Sequence, residues 1–154
     1  MSREEAVPQS KVNVVVHAVF ATRERQPVLP VLLQPRLEAY VTGILQNLSC
    51  PPLAVGFVED HGHLGFVLSS ERTIAGVVRE VKTGSCLWLK KQGLEDFAWQ
   101  GGYGAFSVSS SGRDHLVRYI RRQREHHRRS RFSGEYTSLL KRNGMTFDEQ
   151  DLST

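Results

Sequence analysis

Residues 12–21 alternate, with Val12, Val14, Val16, Ala18 and Phe20 on one side and Asn13, Val15, His17 and Val19 on the other. A period of two in β-branched composition predicts a strand. Pro35 suits the first turn of a helix, and Leu37, Tyr40, Val41, Ile44 and Leu48 follow at helical spacing until Cys50, Pro51 and Pro52 stop the run. Two more strands are expected at 53–59 and 61–68, joined by a tight connection at Asp60. Thr73 can cap a helix bearing Ile74, Val77, Val78, Val81 and Trp88, which Gly93 closes. After the break at Gly101 and Gly102, 103–108 reads as a fourth strand. Ser110, Ser111 and Gly112 then open a helix with Leu116, Val117 and Ile120 inside, and a last short helix covers about 133–143 before Gly144.

The order β-α-β-β-α-β followed by extra helix predicts an α+β, ferredoxin-like split βαβ fold. Two helices cover one face of an antiparallel sheet, and a C-terminal helix follows. The opposite sheet face is then open and is where a site would lie. This fold hosts many unrelated functions, so function must be argued from side chains. The 154 residues allow one domain, expected over 11–148 between a flexible tail at 1–10 and an acidic tail at 149–154. That length buries a core without disulfides or a structural metal. Cys50 and Cys86 stand far apart with no zinc-ligand spacing, which points to a reducing, cytoplasmic setting. The apolar run at 12–21 is too short to span a bilayer, and Glu4 and Glu5 offset Arg3 and Lys11 in the leader, so no membrane or targeting segment is expected.

Charge adds a location. The net charge is only +4, but residues 118–131 hold seven arginines against one acid, Glu125. That stretch carries +6, leaving the other 140 residues at −2. Most charge runs are solvated helix faces mixed with Glu for pairing. This one is nearly all arginine, whose planar fork suits phosphate oxygens, and the bias favours a polyanion partner.

His61 and His63 stand two apart on a strand, so both imidazoles leave the same face and can chelate one divalent ion. Gly62, Leu64, Phe66 and Leu68 take the opposite, buried face. On the arginine-rich helix, Tyr119 and Gln123 lie about 40° apart, one turn above each other. Alone, each reads as a boundary aromatic and an exposed amide. Beside a metal-chelating strand, Gln123 is a candidate third ligand and Tyr119 a candidate nucleophile, with His126 and His127 continuing the face. A phenol near pKa 10 is a poor nucleophile until a cation and a metal-polarised phosphate assist it.

The stretch Val58-Glu59-Asp60-His61-Gly62-His63-Leu64 resembles the paired-histidine strand of the HUH nucleases. Trp99-Gln100-Gly101-Gly102-Tyr103-Gly104-Ala105-Phe106-Ser107-Val108-Ser109 and Arg118-Tyr119-Ile120-Arg121-Arg122-Gln123 resemble the later motifs of one branch: the small single-tyrosine transposases of the insertion-sequence-200 type, including the REP-associated kind. The resemblance runs from about Lys11 to Asp148. It implies a homodimer acting on single-stranded DNA, with hairpins at element ends bound as structure. His61, His63 and Gln123 would hold magnesium or manganese, and Tyr119 would form a 5′-phosphotyrosine link that later reverses to join strands. Arg118, Arg121, Arg122, Arg124, Arg128 and Arg129 would contact the DNA, and His17 and His127 would support the metal ligands.

The chain departs from that pattern at the middle of the histidine pair. Gly62 replaces a bulky apolar residue and Gly65 follows closely, and strand glycines cost packing and order, which implies loosely held ligands. One rival reading is therefore a domesticated relative that binds DNA hairpins with impaired catalysis. Another is a zinc hydrolase using His61, His63 and a further histidine such as His17 or His127, since imidazole donors suit zinc. The Tyr–Gln spacing and clustered arginine count against the hydrolase.

Overall fold

A computed structural model describes residues 10–125 and 131–146. Its main elements are β1 (Val15–Ala21), α1 (Gln34–Asn47), β2 (Pro52–Phe57), β3 (His61–Val67), α2 (Ile74–Lys91), β4 (Gly104–Val108), α3 (Arg113–Arg121) and α4 (Phe132–Arg142). The strands form an antiparallel sheet in the order β2-β3-β1-β4, the expected split βαβ arrangement. In register, Val19 lies opposite His63 and Ala21 opposite His61. Pro35 sits in the first turn of α1, and the Thr73 hydroxyl caps α2 by accepting from the Gly76 N–H at 3.0 Å. Among the described residues, no helix is long and apolar enough to cross a membrane.

One face of the sheet carries the main core. Val16, Ala18, Phe20, Phe57, Leu64 and Phe66 pack against Leu37, Val41 and Leu45 of α1 and Val77, Val78, Val81 and Leu89 of α2. The second face differs from expectation, because it is roofed rather than open. Val15 joins Leu116 and Ile120 of α3. Val19, Ala21 and Phe106 join Phe132, Tyr136, Leu139 and Leu140 of α4. The reason lies in β1, whose seven residues are all buried. With Val15, Val19 and Ala21 on the second face as well, that face is too apolar to leave in water.

Two glycines let α3 lie close to the sheet. A Cβ on Gly56 would fall 2.8 Å from the Ile120 carbonyl oxygen, and one on Gly65 only 3.1 Å from Ile120 Cδ1. Gly62 has a different partner on the opposite face, where a Cβ would stand 2.3 Å from the Phe57 ring. The aromatic ring fills the space of the missing side chain. The strand is therefore not loosened at Gly62, and His61 and His63 on either side of it are both fully buried.

Gly62→Ala is expected to cost about 1–3 kcal/mol of stability, the usual penalty for overpacking a filled core. Urea unfolding measures the loss, and adding Phe57→Leu should recover part of it.

Candidate active site

The two histidines present the same ring atom to one point. Glu135, arriving from α4, places its carboxylate 3.2 Å from His61 Nε2 and 3.0 Å from His63 Nε2. Gln123 Oε1 lies 3.3 Å from His61 Nε2, and its side-chain amide donates to the Tyr119 carbonyl at 3.4 Å. The Tyr119 hydroxyl donates to the same Glu135 carboxylate. Opposite ring atoms anchor the imidazoles: His61 Nδ1 meets Asp60 at 2.7 Å, and His63 Nδ1 meets His17 Nε2 at 2.8 Å. A ring held at Nδ1 keeps Nε2 aimed inward, the usual support for a metal-ligating histidine.

The cluster is dry. His61 and His63 are 0% exposed, Gln123 2% and Glu135 4%, whereas Tyr119 is half-buried. Burial in this cluster gives large shifts. Burial alone would lower His61, but hydrogen bonds and charges from Asp60 and Glu135 outweigh it and raise its pKa to about 9. Burial would likewise raise Glu135, yet His61 and His63 hold it far below the ordinary carboxylate range. Tyr119 is pushed well above the usual phenol value by burial and by the negative Glu135 it donates to. Burial and the neighbouring His63 lower His17 to about 3, so it is neutral at physiological pH.

His61, His63 and Glu135 offer one donor atom each, all within 4.8 Å of one another. Donors around a small divalent ion lie about 3–4 Å apart, so this cluster fits an ion with only slight tightening. Two imidazole nitrogens, a carboxylate and the Gln123 amide oxygen make a mixed set, harder than imidazoles alone.

The structure gathers His61, His63, Tyr119 and Gln123, but not on one continuous helix: α3 ends at Arg121, and Gln123 follows the turn at Arg122. His17 touches His63 from behind, on the Nδ1 side, away from the point where the two Nε2 atoms converge. His127, Arg128 and Arg129 lie outside the described residues, as do the acidic tail and 1–9 of the N-terminal tail. Arg118, Arg121 and Arg122 are exposed. Arg124 instead pairs with Glu38 at 2.9 Å and donates to Gln34 Oε1 at 3.1 Å, tying its end of the arginine run to α1. Asp60 and Glu135 join the site without standing out in the sequence pattern. Asp60 reads from the sequence as a turn residue, yet its place directly before the histidine pair lets its carboxylate reach His61 Nδ1. Glu135 gave no signal of its own, because its approach depends on how α4 returns across the sheet.

The fold is one that transposases use. The chain superposes on a candidate transposase from Deinococcus radiodurans R1 with a TM-score of 0.57 and 21% identity, covering 80% of this chain and 98% of that one. It also superposes on a REP-associated tyrosine transposase bound to a REP hairpin, with a TM-score of 0.56 and 17% identity over 82% of this chain and 74% of that one. At these identities the structures speak for the fold alone. No curated protein matches the chain. The family is set by the sequence profile described as "Transposase IS200 like", which matches residues 10–123. The chain belongs to the IS200-like transposase family.

A pH dependence follows from His61. Between its ordinary pKa of 6.5 and its folded value of about 9, the folded state keeps a proton that the unfolded chain has lost. Its stabilisation is complete below 6.5 and disappears as pH rises through about 9. The melting temperature in EDTA is expected to fall across that window, and Glu135→Gln should flatten the slope.

Proposed function

We propose that this transposase cleaves and rejoins single-stranded DNA by forming a 5′-phosphotyrosine link on Tyr119. The observation carrying this reading is that the Tyr119 hydroxyl and both histidine Nε2 atoms meet on one carboxylate, Glu135. A nucleophile and a metal-ligand cluster at one point have a direct chemical use in phosphoryl transfer. Tyr119 Oη attacks the phosphorus, the bond to O3′ breaks, and the strand leaves with a 3′-hydroxyl. The Tyr119 hydroxyl donates to Glu135, which is held far below the ordinary carboxylate range and is too weak a base to keep the proton, so solvent passes the phenolic proton to the departing O3′. In the return step a 3′-hydroxyl attacks the phosphotyrosine, and Tyr119 leaves as the phenol. The link conserves the phosphodiester, so no ATP is required.

His61, His63 and Gln123 are the proposed ligands of magnesium or manganese, with Glu135 beside them. Such a cation would act as a Lewis acid on a phosphoryl oxygen and offset the Glu135 charge that, with burial, keeps Tyr119 protonated. The chain's own groups do the positioning. Asp60 and His17 orient the rings, and α3 with the turn that follows it brings in Tyr119 and Gln123. Exposed Arg118, Arg121 and Arg122 beside the nucleophile suit a phosphate backbone, and hairpin DNA from element ends is the proposed substrate. A homodimer, which rests on the family resemblance alone, is proposed as the means of bringing two DNA ends together. Sedimentation with and without DNA tests that state.

With labelled single-stranded DNA from the flanks of the gene, a denaturing gel should show a protein–DNA adduct in manganese. The adduct should vanish in EDTA and in Tyr119→Phe. Hairpin binding with no adduct under any condition would sink the catalytic reading. Calorimetric manganese titration should show His63→Ala weakening affinity at least tenfold, while Tyr119→Phe leaves it within about threefold.

A further inference from the structure

The loop at 100–104, between α2 and β4, takes no part in the chemistry above, yet it walls a cavity of about 210 Å³. Val19, Phe20 and Ala21 of β1 and Phe132 and Tyr136 of α4 complete its lining. The loop is held firmly. The Gln100 N–H donates to the Ala21 carbonyl at 2.8 Å, and Lys82 Nζ donates to the Gln100 and Gly102 carbonyls at 2.6 and 2.9 Å. The wall also requires a bare backbone, since a Cβ on Gly104 would stand 2.7 Å from Tyr136 Cε2. Tyr103 lies at the rim with 39% of its surface exposed, a large aromatic that the core does not use.

The cavity adjoins the site. The Phe132 ring centroid is 4.5 Å from that of His61 and 5.6 Å from that of Tyr136, so one aromatic ring separates the cavity from a candidate metal ligand. A cavity of this size bordered by glycine backbone, with an exposed aromatic ring at its rim, suits a nucleobase, because every base has a face that Tyr103 can stack on. We propose that this cavity takes one unpaired base of the single-stranded DNA substrate, next to the scissile phosphate, with Tyr103 as its stacking partner at the rim. The inference rests on the DNA-cleavage reading for its substrate, but its test needs no cleavage.

The probes are octamers of abasic deoxyribose phosphate carrying a single central A, C, G or T, compared in EDTA with the wholly abasic octamer by fluorescence anisotropy. Phosphate contacts are then constant, and only the base differs. At least one base is expected to tighten binding about tenfold over the abasic octamer. Tyr103→Ala should erase that gain while leaving abasic binding and the melting temperature unchanged, and Tyr103→Phe should keep it. Equal binding of all octamers, no binding of any, or a gain that survives Tyr103→Ala would overturn the proposal. Adduct formation without base preference would leave the cleavage reading standing and remove this one. Base preference without an adduct would do the reverse.

Discussion

Glu135 is a carboxylate almost wholly removed from water, and the architecture of the site follows from keeping it compensated. Taking such a charge into a dry interior costs several kcal/mol unless partners of opposite charge and good geometry meet it. Two imidazoles and a phenol do so here, and His61 answers by holding a proton to about pH 9. Asp60 and His17 lock the imidazoles from behind, so neither ring can turn away without stranding its neighbour. A divalent cation could serve the same electrostatic need in place of that proton. The cluster is thus stable when protonated and suited to metal when deprotonated. Burial and the Glu135 charge together hold Tyr119 as a phenol.

Packing makes this meeting of charges available. Gly56 and Gly65 give α3 a shallow bed on β2 and β3, which sets the height of Tyr119 and Gln123 above the histidines. The apolar underside of α4 settles on Val19, Ala21 and Phe106 and carries Glu135 in from the other side. The active cluster is the seam between the two helices. It is closed in this arrangement, with the Glu135 carboxylate filling the point where the two histidine Nε2 atoms converge. The Phe57 ring over Gly62 gives that glycine a packing purpose, so the departure at the histidine pair reads as a local exchange of volume between strands.

Local regularities were legible in the amino-acid sequence. Strand alternation, helical spacing, the Thr73 cap and the proline stop after α1 place every described strand and helix within a few residues, because each depends on neighbours close along the chain. The same-face pairing of His61 with His63 follows from the strand period alone, whereas Gln123 reaches the cluster from beyond the turn at Arg122 that ends α3. The sequence also carried the family motifs. Tertiary structure decided whether the second sheet face was open, what the glycines faced, and that Arg124 was occupied by Glu38. It alone brought Glu135 to His61, over seventy positions away, since no local period encodes where a returning helix lands. Long-range packing and the cost of an unpaired buried charge made that choice.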